Sequence, residues 1–317
     1  MHSAPDFAAQ EAYRGRFAPT PSGPLHFGSL VAALGSYLDA KSAGGKWLLR
    51  IEDVDPPRVV AGAAADILRS LEAFGFEWDG PVAFQGERGA AYQAALDRLD
   101  AQDLIYGCLC SRKDIAEIGR RGVDGPVYPG TCRDRGWRGD AARDPAWRFR
   151  VPEARLVFSD RLLGRIACDL VRECGDFVLK RADGVFTYQL AVVVDDAEQG
   201  ITHVVRGADL LASTPRQIAI QRALGLPTPT YLHLPVVLDG TGDKLSKQTL
   251  AAPVEAADPL PALSRAADFL GMPTPKEGFA SLAEFWGWAI GAWKRAHLRP
   301  LRGKKLAKSL FPTARDA

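Results

Sequence analysis

Two short segments combine residue types that suit the binding of phosphates. Residues 16–29 read RFAPTPSGPLHFGS and place His26 at the start of an apolar helical pattern. Small residues let backbone N–H groups approach a ligand closely, and the N-terminus of a helix favours anions. Residues 244–247 read KLSK after a glycine-rich loop, and two lysines three residues apart could hold a polyphosphate. Each segment alone also fits a plainer structure, either a turn capped by His26 or a solvated surface loop.

Three cysteines and a tyrosine form a further candidate site. Cys108 and Cys110 lie two positions apart at the end of a predicted strand, and Cys132 follows Tyr128 in an insertion rich in glycine, proline and arginine. Three thiolates are one ligand short of a closed tetrahedral zinc site, and a tyrosine oxygen could supply the fourth. The alternative is three free cysteines in a loop.

The elements around these segments alternate between strand and helix. Residues 13–17 and 46–51 predict strands, and residues 29–42 predict a helix between them. This order is typical of a parallel sheet, whose ligands bind at the carboxyl ends of the strands. The loop at 19–23 and the acidic turn at 52–55 both lie at such ends, so we expect them to be close together. The pattern predicts further helices at 61–74, 88–102, 214–224 and 253–295, and further strands at 104–110, 147–151, 177–180, 185–194, 201–206 and 231–238.

Composition limits the class of protein. The chain has 317 residues, of which 47% are hydrophobic and 25% charged, which is typical of a globular protein and not of a disordered one. No apolar run approaches the roughly 18 residues that span a bilayer, and the first residues lack a secretory pattern, so we expect a cytoplasmic protein. Five cysteines, an odd number, argue against a disulfide framework, and Cys168 and Cys174 are expected to be inert thiols.

A basic segment near the C-terminus is the one local excess of charge. The net charge of +2 neither requires nor excludes nucleic acid, but residues 294–308 hold seven Lys or Arg and no acid. Such a patch could bind RNA phosphates. The alternative is a frayed, solubilising tail.

Taken together, the motifs resemble those of class I aminoacyl-tRNA synthetases. The 19–28 loop is similar to the HIGH signature, with Ser29 in place of the second histidine, and residues 244–248 are similar to KMSKS, with Leu245 and Gln248 as departures. The subclass resembled is the glutamyl and glutaminyl branch. The segments that carry this finer similarity are residues 16–23, 50–53, 187–190, 194–196, 205–210 and 213–217.

The resemblance implies a Rossmann-like α/β catalytic domain and a role for each matching residue. Arg16 would pair bidentately with the side-chain carboxylate of a glutamate substrate, and Glu52 would hold its α-ammonium. Tyr188 and Arg206 would close the pocket. The implied glutamate-binding set is Arg16, Phe17, Ala18, Pro19, Thr20, Glu52, Tyr188 and Arg206. The residues implied to act on ATP are His26, Gly28 and Lys247, with His26, Lys244 and Lys247 in catalysis.

A narrower resemblance connects the cysteines with one family of short bacterial paralogues of glutamyl-tRNA synthetase, the glutamyl-Q tRNA(Asp) synthetases. The arrangement C-x-C followed by Y-x-x-x-C is similar to their zinc site and implies that Cys108, Cys110, Tyr128 and Cys132 hold one structural Zn²⁺. It further implies that ATP, with Mg²⁺, activates L-glutamate, which is then transferred to queuosine in the anticodon stem-loop of tRNA(Asp).

Length separates this function from its alternatives. Only about 70 residues follow Lys247, which we expect to be too few for an anticodon-binding domain. One alternative is a truncated glutamyl-tRNA synthetase that charges a tRNA 3′ end, and another is a catalytically idle, synthetase-like binding protein. We expect a monomer that does not contact a membrane.

These observations predict five regions along the chain. They are a flexible arm at 1–12, the first half of the catalytic domain at 13–106, a zinc-binding insertion at 107–145, the second half of the catalytic domain at 146–250, and a short helical region with a basic tail at 251–317.

Overall fold

The computed structural model describes residues 12–122, 125–135, 144–152, 155–239 and 254–305 of the chain. Its α-helices are α1 (Phe27–Lys41), α2 (Ala63–Ala73), α3 (Gly89–Asp100), α4 (Arg112–Ile118), α5 (Tyr188–Glu198), α6 (Thr214–Ala223), α7 (Pro259–Phe269) and α8 (Leu282–Ala292). Its strands are β1 (Arg14–Phe17), β2 (Lys46–Ile51), β3 (Ala83–Phe84), β4 (Ile105–Cys108), β5 (Arg121–Gly122), β6 (Gly125–Pro126), β7 (Ala146–Phe149), β8 (Arg155–Asp160), β9 (Gly164–Asp169), β10 (Phe177–Lys180), β11 (His203–Gly207), β12 (Thr230–Leu234), β13 (Val236–Leu238) and β14 (Gly303–Lys305).

Parallel strands form the centre of the structure. β2 pairs in parallel with β1 and β3, and β11 pairs in parallel with β12. The two groups meet where the N–H of Thr202 donates to the carbonyl of Arg14 at 3.0 Å. Helix α1 packs across β1, β2 and β11. The predicted parallel arrangement is therefore confirmed, although the antiparallel hairpin of β8 and β9 was not predicted from the sequence.

Helix α5 is the main error of the sequence-based prediction, which placed a strand at 185–194. Val192, Val193 and Val194 are β-branched residues that favour strands when read locally. In the structure they lie in a helix that is buried on most of its surface, between α3, α6 and β10. Burial on most sides removes the amphipathic pattern from which a helix is recognised, so packing overrides local propensity. The helix turns Asp195 and Asp196 into the protein interior, where they are 0% and 4% exposed.

The predicted strand at 231–238 is two strands that separate at Pro235. Proline cannot donate to a sheet ladder, so β12 ends before it and β13 begins after it. β13 then pairs in parallel with β14, which belongs to the basic C-terminal segment. Within this segment, Gly303–Lys305 therefore form a paired strand and not a frayed tail.

The C-terminal helices complete the core on one side of α1. Helices α7 and α8 pack against it, and Trp293, which follows α8, is buried with 7% of its surface exposed. The indole of Trp286 donates to the carbonyl of Phe74 at 3.2 Å. A second core surrounds α5, and a small third one contains the cysteines at the end of β4. No helix within the described ranges is long and apolar enough to cross a membrane.

We expect Gly271→Ala to lower the free energy of unfolding by about 3 kcal/mol. Gly271 ends α7 with φ +81°, and a Cβ there would lie 2.5 Å from the carbonyl oxygen of His297, so the C-terminal segment would have to move. Urea denaturation measures the loss. Gly278→Ala is the matched control, because Gly278 has a similar φ of +74° but open space around it, and should cost about 1 kcal/mol. Equal losses would contradict close packing at Gly271.

Candidate active site

A cavity of about 900 Å³ lies at the carboxyl ends of β1, β2 and β11 and at the N-terminus of α1. Its volume suits a ligand the size of a small cofactor or an aminoacyl nucleotide. All predicted binding residues within the described part of the chain line it, whereas Lys244 and Lys247 lie outside the described residues. The predicted residues in its wall are Arg16, Phe17, Ala18, Pro19, Thr20, His26, Gly28, Glu52, Tyr188 and Arg206.

Backbone hydrogen bonds hold the two loops of the cavity together. The N–H of Glu52 donates to the carbonyl of Pro19 at 3.0 Å, and the N–H of Val60 donates to that of Pro21 at 2.9 Å. Gly23 adopts φ +135°, a conformation that side chains disfavour, so the turn before α1 requires glycine. The predicted closeness of these loops is confirmed.

His26 is the N-cap residue of α1. Its Nδ1 accepts from the N–H of Ser29 at 3.2 Å, so the capping alternative considered for this histidine is correct, and the ring lines the cavity as well. Described residues on either side of the segment 240–253 also lie near this cavity. Val237 of β13 lines the cavity, and the N–H of Val254 donates to the carbonyl of Leu25 at 3.0 Å.

Beneath the cavity, two buried arginines share the carboxylate of Asp196. Nε and Nη2 of Arg16 lie 3.0 and 3.3 Å from its two oxygens, and Nη2 of Arg50 lies 2.8 Å from one of them. Arg50 is fully buried and also lies 3.4 Å from Glu52 and 3.8 Å from Asp195. Asp196 thus occupies the edge of Arg16 formed by Nε and Nη2, which is one of the two edges through which a guanidinium can bind a carboxylate bidentately.

Glu52 lies at the boundary between this charged cluster and the cavity. Burial raises its pKa above the ordinary range, and the positive charges of Arg50 and Arg16 only partly oppose the shift. A ligand ammonium beside Glu52 would favour the ionised carboxylate and bring the pKa back down. The group is therefore suited to bind a cation within the cavity.

The cluster continues away from the cavity through Asp195. This carboxylate accepts from Nε of Arg88 at 2.5 Å, from the amide of Gln85 at 2.7 Å and from the hydroxyl of Tyr92 at 2.9 Å. Arg88 also pairs with the exposed carboxylate of Glu198. The charges of α5 are therefore neutralised in steps from the interior to the surface.

On the other side of the cavity, Arg206 is held by neutral groups. Its Nη1 donates to the hydroxyl of Tyr188 at 3.0 Å, its Nη2 to the hydroxyl of Thr214 at 2.8 Å and its Nε to Nε2 of His233 at 3.2 Å. His233 in turn lies 2.7 Å from the carboxylate of Asp160. Tyr188 and Arg206, which are both predicted to close the pocket, are therefore hydrogen-bonded to each other.

Three residues that hold the site, Asp196, His233 and Asp160, are not singled out by the sequence motifs. Asp196 lies within one of the matching segments, immediately after the predicted strand at 185–194, and an assignment to a strand end gives no sign that it enters the interior. His233 carried a weak signal, because it is a lone polar residue in an otherwise apolar strand. A lone histidine of that kind does not by itself indicate which residue it contacts.

The three cysteines of the insertion come together as predicted. The sulfurs of Cys108, Cys110 and Cys132 lie within 4.8 Å of one another. The hydroxyl oxygen of Tyr128 is 3.3 Å from the sulfur of Cys108 and 3.6 Å from that of Cys110, and it accepts from the N–H of Cys132 at 2.8 Å. Burial opposes ionisation of Cys132, but hydrogen bonds led by that from Tyr128 lower its pKa to about 7.

The two remaining cysteines form a separate pair. Cys168 is buried and its sulfur lies 3.9 Å from that of the half-buried Cys174. They do not form a disulfide with each other. The pair shares no residue with the cysteine cluster of the insertion.

Comparison with known proteins identifies the class to which this fold and cavity belong. Residues 12–275 match the family described as tRNA synthetases class I (E and Q), catalytic domain. The structure is similar to a crystal structure of a glutamate tRNA ligase from Elizabethkingia meningosepticum in complex with its amino acid. The TM-score is 0.74 at 26% sequence identity, and the match covers 94% of this chain and 67% of that one.

Curated relatives define a narrower group. The protein from Chromobacterium violaceum named glutamyl-Q tRNA(Asp) synthetase is 58% identical over 281 residues, which cover 89% of this chain and 93% of that protein. Proteins of the same name from Dechloromonas aromatica and Neisseria meningitidis serogroup C are 58% and 54% identical, over 94% and 95% of their length. The chain therefore belongs to the class I tRNA synthetases for glutamate and glutamine and, within them, to the glutamyl-Q tRNA(Asp) synthetase family.

We expect Asp196→Ala to lower the free energy of unfolding by about 3 kcal/mol, because it removes the carboxylate that Arg16 and Arg50 share in the interior. Urea denaturation followed by circular dichroism measures this loss. Glu198→Ala on the same helix is the control. Its carboxylate is 53% exposed and pairs with a single arginine, so its removal should cost less than about 1 kcal/mol. Equal losses would show that burial of the ion pairs does not matter.

Proposed function

We propose that the protein activates L-glutamate with ATP to glutamyl-adenylate and transfers the glutamyl group to queuosine in the anticodon of tRNA(Asp). One observation carries the proposal. Arg16, Glu52, Tyr188 and Arg206, from four separate segments of the chain, line a single cavity beside His26. The names of relatives that are 58% identical support the choice of acceptor.

The charges in the cavity suit an amino acid that carries two carboxylates and one ammonium. Glu52 would hold the ammonium. Nη1 of Arg16, which makes no hydrogen bond to a described residue, would take the side-chain carboxylate. Because burial raises the pKa of Glu52, glutamate binding should weaken in acid at a higher pH than with an exposed glutamate.

The reaction needs little from the protein beyond positioning and charge stabilisation. The α-carboxylate of glutamate attacks the α-phosphorus of ATP, and pyrophosphate leaves. His26 at the N-terminus of α1, with Lys244 and Lys247, would stabilise the negative charge that develops on the phosphates, and Mg²⁺ would enter bound to ATP. In the second step, a hydroxyl of the cyclopentenediol of queuosine attacks the acyl carbon, an ester forms and AMP leaves.

The cysteine cluster of the insertion fits one structural Zn²⁺. Three thiol groups and a phenol oxygen are of the right number for a closed tetrahedral site, and the three sulfurs lie within 4.8 Å of one another with the phenol oxygen beside them. Cys108, Cys110, Tyr128 and Cys132 would hold the ion, which would fix the segment after β4 to the segment that contains Cys132.

The transfer reaction distinguishes the proposal from a synthetase that charges a tRNA 3′ end. With labelled glutamate, ATP and tRNA(Asp) that contains queuosine, we expect the label on the anticodon fragment after nuclease digestion. With tRNA(Asp) that lacks queuosine, we expect no transfer. Label on the 3′-terminal adenosine would overturn the choice of acceptor. Absence of glutamate-dependent pyrophosphate exchange would favour an idle binding protein.

The Lys247→Ala variant tests the activation step. We expect it to lower glutamate-dependent pyrophosphate exchange by about a hundredfold or more, as is typical when a charge that stabilises a transition state is removed. The melting temperature should be unchanged. Lys113→Ala is the matched control, since this lysine is 86% exposed in the insertion and should leave exchange unaffected. A Lys247→Ala protein with full exchange activity would refute the role of this lysine.

Metal analysis tests the zinc site without reference to activity. We expect about one Zn²⁺ per chain in the purified protein and a ratio near zero after Cys132→Ser, because three of four ligands bind zinc far less tightly. Cys174→Ser should keep the metal, since Cys174 lies in the separate pair with Cys168. A ratio near zero in the unsubstituted protein would refute the site.

A further inference from the structure

Arg16 and Arg206 bring the same charge to the cavity, but their partners differ in kind. Nε and Nη2 of Arg16 lie against the carboxylate of Asp196, which offsets its charge. All partners of Arg206 are neutral oxygen or nitrogen atoms, and within the described residues it forms no ion pair. The positive charge of Arg206 is thus the less compensated of the two, although its side chain is equally well anchored.

His233 is the partner of Arg206 that needs an explanation. The two residues are direct neighbours in the parallel pairing of β11 and β12, and the His233 side chain is completely buried. Its Nδ1 lies 2.7 Å from the carboxylate of Asp160 at the end of β8. Its Nε2 lies 3.2 Å from Nε of Arg206 and 3.1 Å from the hydroxyl of Thr214. The ring therefore separates a buried carboxylate from a buried guanidinium.

The hydrogen bonds around Asp160 keep its carboxylate ionised. It accepts from the backbone N–H groups of Leu162 and Leu163 at 2.9 and 2.8 Å, in addition to the ring and the N–H of His233. These donors lower its pKa although burial opposes the shift. An ionised carboxylate can only accept, so Nδ1 of His233 must carry the hydrogen that it faces.

The same environment keeps the imidazole neutral. Burial lowers the pKa of His233 to about 4, and the charge of Arg206 adds to this effect, whereas Asp160 and Asp209 oppose it. A neutral ring with its hydrogen on Nδ1 presents a lone pair at Nε2, which is where Arg206 donates. If the ring instead carried a proton at Nε2, two donors would face each other.

We propose that His233 is a positioning residue that holds Nε of Arg206 as a neutral acceptor and so directs a guanidinium that has no ion pair among the described residues into the glutamate-binding cavity. The inference rests on the proposed function and deepens it. A direct contact with Asp160 would anchor Arg206 as firmly but would neutralise it. With the imidazole in between, the anchoring is retained and the charge remains for a carboxylate of the substrate.

Two substitutions test whether His233 acts by accepting a hydrogen bond from Arg206 or only by filling space in the core. His233→Gln can place its side-chain oxygen near the position of Nε2, whereas His233→Asn places an amide nitrogen near Nδ1 and leaves Nε of Arg206 without an acceptor. In glutamate-dependent pyrophosphate exchange, we expect His233→Asn to raise the KM for glutamate at least tenfold, with a smaller change in the KM for ATP. His233→Gln should recover most of the loss. His203→Asn removes a half-buried histidine from the same strand, β11, that carries Arg206 and should leave both KM values unchanged.

The result that would overturn the proposal is an equal change of both KM values in His233→Asn and His233→Gln, or no change in either, at an unaltered melting temperature. Long-range ¹⁵N–¹H spectra of the unsubstituted protein give a second test that needs no variant to fold. We expect the His233 ring to be neutral, with hydrogen on Nδ1, from pH 8 to about pH 5.5. Hydrogen on Nε2 would overturn the proposal. If exchange with glutamate is absent but the ring is found as expected, the proposed substrate fails and the arrangement of His233 and Arg206 stands.

Discussion

The structure of the cavity depends on the burial of like-charged arginines beside carboxylates that come from one helix. Taking a charge out of water is expensive unless an opposite charge and hydrogen bonds replace the water. Arg16 and Arg50 come from neighbouring parallel strands and meet that requirement because α5 carries Asp195 and Asp196 into the interior. The position of α5 is therefore fixed by electrostatics as well as by the apolar packing of its valines. Any change that moves this helix also moves the floor of the cavity.

The buried charges on the two sides of the cavity are stabilised in different ways. On the Arg16 side, carboxylates pair with cations and the charges cancel locally. On the Arg206 side, the guanidinium forms no ion pair with a described residue, and an imidazole separates it from the carboxylate of Asp160. We expect a ligand with carboxylates to be attracted by the charge of Arg206 and to be oriented by contacts with both sides of the cavity. This asymmetry distinguishes a binding site from a structural ion-pair network, in which every charge is already matched.

Much of the fold could be predicted from the sequence, because its first half follows simple rules. Alternating strands and amphipathic helices define β1, α1 and β2 to within about two residues. The loops at the strand ends contain the expected binding residues. The failures have physical causes. Helix α5 is buried on most sides and rich in valine, so neither periodicity nor propensity identifies it. No strand was predicted from the sequence of the hairpin of β8 and β9.

For the site, the residues that line the cavity were easier to predict than the residues that hold them in place. Arg16, Glu52 and Arg206 lie in motifs whose types suggest a chemistry. Asp196 and His233 act through contacts with residues far away in the chain, 180 positions from Arg16 for Asp196 and 27 positions from Arg206 for His233. Such contacts follow from strand pairing and helix packing, which a single sequence does not specify.

The C-terminal segment belongs structurally to the catalytic body, although the family match ends at residue 275. Trp293 donates to Asp39 of α1, and β14 pairs with β13, whose Val237 lines the cavity. Lys304, one of the basic residues considered for RNA binding, donates to the carbonyl of Phe269 at 2.9 Å. At least this part of the basic patch therefore serves the packing of the protein. The basic segment thus supports β13, which forms part of the cavity wall, although its charge alone would suggest that it binds RNA.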